Sequence, residues 1–231
     1  MTTPAAQTAT VPADTLLRLL RSVEPFIGTG DEDPRFRVVQ VEAAGGWLST
    51  TATDRYALAV AREPIGPEYS FQAFLEDEDI AWLDQQHERH PFGDLTVTPT
   101  DQDVRLGYTS HHAPVDEVST LTLPIPQVLP DWRSALAWAA KTTDVESAAP
   151  QIALQPFFLN RLTAAEDFSP TVPVWAAWRT SQNPEGAVVA TIGDWFCAVI
   201  RPGRADLDLP NASEVAADFA RMPQHQPAAA A

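Results

Sequence analysis

Between Phe36 and Ala61 three extended segments follow one another with only Ala44-Gly45-Gly46 and Asp54-Arg55 marking the breaks. Parallel neighbours need a crossover of a dozen or more residues, so connections this short commit the segments to antiparallel pairing. The segments run from Phe36 to Gln40, Trp47 to Ala52 and Tyr56 to Ala61, and the Gly-Gly pair marks a hairpin turn. Just before them, Asp14 to Val23 carries leucines at three- and four-residue spacing, which predicts a helix with one apolar face and with Arg18 and Arg21 off that face. A helix followed by antiparallel strands puts the chain in the α+β class.

The same grammar continues downstream. Tyr69 to Phe74 is extended, and the carboxylates from Glu76 to Asp79 open a helix predicted over Asp77 to Arg89, because negative charge suits the positive end of the helix dipole. Pro91 and Gly93 stop it, and Leu95 to Thr98 and Val104 to Tyr108 alternate as strands across the turn from Thr100 to Asp103. Pro124, Pro126 and Pro130 read as a linker, after which Asp131 caps a helix reaching Lys141. Phe157 to Ala165 is a further helix, and Val174 to Thr180, Ala187 to Thr191 and Phe196 to Arg201 are strands, with turns at Asn183-Pro184-Glu185-Gly186 and Gly193-Asp194. This grammar predicts a disordered N-terminus over 1–10, one module over 11–123, and a second, abbreviated module over 124–203. Residues 204–231 are expected to form a mostly disordered tail, with a short helix at Ala212 to Arg221.

Composition narrows the function classes. A formal charge of −16 argues against a protein that coats nucleic acid over its whole surface, because phosphate binding requires Lys or Arg. The charge is compatible with a protein that is positive only where it faces a duplex. Cys197 is the sole cysteine, which excludes an intrachain disulfide, and its apolar neighbours predict a core thiol. The longest apolar stretch, Ala135 to Ala140, is far shorter than the roughly 18 residues of a membrane span. Met1 to Ala13 lacks the basic and apolar regions of a secretory signal, so a cytoplasmic location is expected. Thr109-Ser110-His111-His112 with Asp116 brings hydroxyl, imidazole and carboxylate into one loop, but adjacent histidines alone provide neither an oriented base nor spaced metal ligands. Nothing resembles a Gly-x-Gly-x-x-Gly or Walker loop. The chain reads as a non-enzyme.

Leu48 to Ala61, with Ala52-Thr53-Asp54-Arg55-Tyr56 at its centre, resembles the signature of bacterial DNA polymerase III β sliding clamps, in which a strand ending Ala-Thr-Asp turns through Gly or Arg into Arg-Leu-Ala. Ala57 stands where that family usually has Arg. Leu129-Pro130-Asp131-Trp132-Arg133 is similar to the family's interdomain crossing, and Val199-Ile200-Arg201-Pro202 to its closing strand. The resemblance implies a DNA-clamp fold of duplicated helix–strand modules, with helices on one face of antiparallel sheets. It also implies a processivity factor without cofactor or metal, which encircles double-stranded DNA and tethers a polymerase and other replication proteins after loading by a clamp loader. Six modules in such a ring imply a homotrimer of two-module subunits. Arg18, Arg21, Arg133, Lys141 and Arg161 are the expected DNA-facing residues. A partner-peptide pocket is expected from Thr53, Arg55, Tyr56 and Leu58, from Pro130, Ser134 and Ala135, and from Ile200 and Pro202. The alternative is a clamp-derived interaction protein that binds or regulates replication proteins without encircling DNA.

Overall fold

In the computed structural model, β1 (Ala9–Pro12) leads directly into α1 (Ala13–Val23), followed by β2 (Val39–Ala44), β3 (Trp47–Thr53) and β4 (Ala57–Pro64). The order repeats in β5 (Phe71–Leu75), α2 (Asp77–Arg89), β6 (Gly93–Pro99), β7 (Asp103–Ser110) and β8 (Ser119–Pro124). After α3 (Trp132–Lys141) it comes a third time, as β9 (Ser147–Ala148), α4 (Pro156–Glu166), β10 (Val174–Thr180), β11 (Asn183–Ile192) and β12 (Phe196–Ile200). The structure describes residues 8–28, 33–100, 103–111, 119–124, 132–141, 147–148, 156–166, 174–180 and 183–200. The expected helix at Ala212 to Arg221 lies outside them.

The strands form a four-stranded sheet in the order β1-β6-β7-β8 and an eight-stranded sheet in the order β5-β2-β3-β4-β12-β11-β10-β9, with every pair antiparallel. The first strand of each of the first two repeats is exchanged: β1 pairs with β6, and β5 pairs with β2. β4 and β12, from different repeats, meet edge to edge and make the large sheet continuous.

Local chemistry explains the elements. Gly45 and Gly46 have φ of 60° and 85°, the left-handed values that a two-residue hairpin between Ala44 and Trp47 requires. A capping box fixes the start of α2, where the Glu76 amide donates to the Asp79 carboxylate at 2.9 Å and the Glu76 side chain accepts in return. At Pro34–Phe36 the expected strand gives way to a 3₁₀ turn, because Pro34 presets its φ and the Asp33 carboxylate accepts the Arg35 amide at 3.1 Å; pairing begins only at Val39. Asn183 to Gly186, expected as a turn, lies inside β11. There Thr180 pairs with Asn183 but Trp178 with Ala187, so 184–186 bulge opposite a single residue.

Helix α1 occupies the centre. Leu16, Leu17, Leu19, Leu20 and Val23 are all buried, more than one stripe, because α1 packs on β3 and β4, on β6, and on both α2 and α4. Register divides the large sheet into two faces. Thr50, Ala52, Ala57, Ala59, Ala61, Ala198 and Ile200 share the face toward α1, where the Thr50 hydroxyl donates to the Leu19 carbonyl at 2.9 Å. Ser49, Thr51, Thr53, Leu58, Val60, Cys197 and Val199 lie on the opposite, outer face. The alanines of β4 and β12 let α1 sit close to the sheet, and each leucine buried there contributes about 1.5–3 kcal/mol.

Candidate functional site

The turn between β3 and β4 is built around Asp54. Its Oδ1 accepts from the Tyr56 amide at 2.9 Å and the Ala57 amide at 2.8 Å, while its own amide and the Thr53 hydroxyl both donate to the Ala57 carbonyl, at 3.2 and 2.8 Å. A carboxylate that accepts two backbone N–H groups reproduces a turn within its own side chain, which is why Asp stands here. Arg55 at the apex has φ of 78°, the left-handed region where glycine is at ease, and its guanidinium lies 4.8 Å from the Phe36 ring centroid. Tyr56 is 60% exposed. The other carboxylate oxygen, Oδ2, accepts from Arg161 Nη1 of α4 at 2.6 Å, with the two side chains only 12% and 6% exposed. Arg161 also lies over the rings of Phe26 and Phe158. The signature turn is thus joined to the third repeat by a buried ion pair.

The residues expected to form a peptide pocket are only partly brought together. Thr53, Arg55, Tyr56 and Leu58 cluster at one end of the β3–β4 hairpin, and Leu58 faces outward beside Val199. Ile200 is fully buried and turned toward α1, and on the outer face its neighbour Val199 stands beside Leu58 instead. Ser134 and Ala135 are exposed on α3. That helix is anchored by Arg133 to Glu42 at 2.6 Å, opposite Ser49, about 13 Å along β3 from Thr53. Pro130 and Pro202 lie outside the described residues.

The expected DNA-facing arginines are engaged with carboxylates. Arg18 pairs with Glu63 at 2.6 Å and lies 5.0 Å from the Trp195 ring centroid; Arg21 bonds Asp84 through Nε at 3.1 Å and Nη2 at 2.5 Å; Arg133 holds Glu42 and stacks on Trp132. Arg161 corrects the expectation outright, since a 5% exposed residue paired within the turn cannot face a duplex. The side chain of Lys141 lies outside the description.

Features that suggested chemistry are otherwise occupied. His111 Nε2 meets Asp94 at 2.9 Å on the surface, and His112 and Asp116 lie outside the described residues. Among the described residues no three His, Cys, Asp or Glu converge as a metal site, and no helix is long and apolar enough to cross a membrane. Burial pushes the Cys197 thiol up, with Arg62 only partly opposing it, so at neutral pH it is held mainly in the protonated form. His87 bridges Asp14 at 3.1 Å and approaches the Tyr108 hydroxyl at 3.4 Å, tying α1 to α2 and β7.

No protein-family model and no curated protein matches the chain in sequence. Solved structures do match in three dimensions. The DNA polymerase sliding clamp of Pseudomonas aeruginosa aligns with a TM-score of 0.59 and 14% identity over 88% of this chain and 68% of that one. The β sliding clamp of C. crescentus gives 0.62 and 15% over 88% and 68%, and the DNA polymerase III β subunit of Thermotoga maritima gives 0.62 and 14% over 88% and 67%. These likenesses in shape show that the chain has the fold of the bacterial β sliding clamps.

Proposed function

We propose that the chain is a sliding-clamp-like processivity factor, a non-catalytic protein that encircles double-stranded DNA and holds a polymerase and other replication proteins to it. Tethering of this kind works through effective concentration, with no bond made or broken by the tether. The observation that carries the reading is the junction of β4 with β12, paired from Phe196↔Ala61 to Ile200↔Ala57, by which one unit continues into the next with α1 and α4 packed together against the inner face. Repetition of such a junction between copies builds a hoop. In this reading 11–123 is a whole module and 124–203 an abbreviated one, and a trimer results if each copy fills two of six places. Partner peptides anchor on the outer face at Tyr56, Leu58 and Val199.

The test is topological. On closed circular DNA the loaded protein is retained through a high-salt wash, and it is lost after linearisation; light scattering gives an oligomer. A monomer that leaves circular and linear DNA equally fast refutes encirclement. Tyr56→Asp, at a side chain 60% exposed, weakens a clamp-binding peptide and leaves the oligomer intact, and unchanged affinity shows that the peptide site lies elsewhere.

A second reading is favoured by the arginines. Arg18, Arg21 and Arg133 are each neutralised by a carboxylate, and Arg161 is internal, so little of this helix charge is left for phosphates. In that reading the chain keeps the fold without encircling DNA and binds or regulates replication proteins, a clamp loader or polymerase among them. Retention on neither DNA form, together with binding to such a protein, selects it.

A further inference from the structure

Against the outer face of the large sheet, at the end of β3 and β4 remote from Asp54, lies a cavity of 580 Å³. Trp47, Trp132, Trp195 and Leu136 give it apolar walls, Cys197 lies in its lining, and Arg62 stands at its polar side. Among the described residues, none of those assigned above to the partner-peptide pocket lines it. One feature marks it as a recognition site rather than a packing gap. Arg62 is held flat, with its guanidinium 4.3 Å from the Trp47 ring centroid and its Nε donating to the Asp194 carbonyl at 2.9 Å. That leaves its Nη groups without a carboxylate partner among the described residues, unlike Arg18, Arg21 and Arg133.

We propose that this cavity is a docking site for an acidic, apolar-anchored peptide segment of a partner protein. An aromatic or leucine side chain of the segment fills the space between the tryptophans, and a neighbouring carboxylate takes the open edge of Arg62. Charge and shape decide the occupant. One oriented guanidinium matches a single carboxylate in the planar geometry that Arg favours, whereas an apolar, tryptophan-lined chamber in a chain of net charge −16 offers no track for successive phosphates. Rigid aromatic anchors with one fixed polar group are the usual make-up of a peptide-binding pocket. The site does not depend on ring formation, so its failure and that of the processivity reading are separable.

The full chain is titrated with acetyl-Glu-Phe-Asp-Leu-Glu-amide, followed by tryptophan fluorescence and by the rate at which a maleimide labels Cys197, the only cysteine. Binding is expected at one peptide per chain, with labelling slowed at least about fivefold at saturation. The uncharged peptide acetyl-Gln-Phe-Asn-Leu-Gln-amide is expected to bind at least about tenfold more weakly. Arg62→Gln lowers affinity for the acidic peptide to that of the uncharged one, Arg62→Lys restores part of it, and Trp132→Phe weakens both peptides. Equal affinity for the charged and uncharged peptides, unchanged Cys197 labelling in the wild-type chain, or no binding at 1 mM peptide overturns the proposal. So does a fluorescence change that follows protein concentration instead of peptide, which would assign the cavity to a second copy of the chain.

Discussion

The pair formed by Asp54 and Arg161 joins the first repeat to the third, and its removal has a calculable cost. Both side chains are nearly out of water, at 12% and 6% exposure, so replacing Asp54 by Asn takes the Asp54 charge away from a guanidinium held in the interior. Breaking a buried pair from one side costs about 3–5 kcal/mol, because the remaining charge keeps its desolvation penalty and loses its attraction. Asn retains a side-chain oxygen for the Tyr56 and Ala57 amides, so the turn itself is spared most of the damage. The comparison is Glu42→Gln, which breaks the contact with Arg133; that arginine is 57% exposed, and its pair is worth at most about 1 kcal/mol. In urea, with a slope of about 2 kcal/mol/M, Asp54→Asn lowers the unfolding midpoint by about 1.5–2.5 M and Glu42→Gln by at most about 0.5 M. Arg161→Met alone is comparably damaging, whereas the double variant recovers much of the loss, since an apolar side chain suits a site already walled by Phe26 and Phe158. Equal costs for the two single carboxylate variants, or additivity of Asp54→Asn and Arg161→Met within about 0.5 kcal/mol, would refute the reasoning.

Other expectations concern separate features. Arg55→Val places a β-branched residue at φ of 78° and removes the contact with Phe36, a loss of about 1–2 kcal/mol by denaturant unfolding, while Arg55→Gly changes stability by less than about 1 kcal/mol because relief of the left-handed cost offsets the added chain entropy. A Cβ on Gly93 would stand 2.6 Å from the ring of Tyr108, which is buried and held by its hydroxyl donating to the His90 carbonyl at 2.7 Å, so Gly93→Ala costs about 1–3 kcal/mol in the same assay. The Glu24 carboxyl is raised above its ordinary value, first by burial and then by Asp84 and Asp77. A raised acid favours the fold below its unfolded pKa and loses that contribution as the pH climbs through the folded value, so Glu24→Gln is more stable than the parent at neutral pH by denaturant unfolding, and the gap closes in acid.

Much of this architecture was legible because the signals were local. The acidic opening of α2 and the Gly45-Gly46 hairpin depend on residues close in sequence, and both elements stand where the pattern put them. What could not be read depends on partners far along the chain. Arg161 looked like an exposed basic residue on a helix face, and only the fold brings it to Asp54, 107 positions away. Ile200 and Val199 are adjacent and both apolar, and which one faces outward is settled by the pairing of Ile200 with Ala57 and Val199 with Leu58. Strand alternation from the Asp54 turn would have given the parity of β4, but the register of β12 against it has no sequence mark. The Trp132 cavity was hidden for the same reason, since its walls come from the β2–β3 hairpin, β4, α3 and the β11–β12 turn.

The exchange of first strands explains why the third repeat differs from the others. β1 completes the sheet of β6, β7 and β8, and β5 completes that of β2, β3 and β4, so the first two repeats are mutually dependent and neither can close its sheet alone. Among the described residues the third repeat has no reciprocal partner, and its own first strand, the two-residue β9, takes the edge beside β10. A two-residue strand satisfies few of the edge's hydrogen-bonding groups, so among the described residues the β10 edge is the least completed margin of the large sheet. Among the described residues the sheet edges are β1 and β8 in the smaller sheet and β5 and β9 in the larger; the proposed hoop joins through the β9 margin and β8, which are unlike one another. Unlike ends join head to tail, which closes into a ring only if the rotation per copy divides a full turn. The β9 edge therefore bears on the assembly as directly as the charge on the helices: Ser147→Lys with Ala148→Pro, residues that blunt a sheet edge, should block association while leaving the monomer folded, and an oligomer that survives this change would place the joint elsewhere.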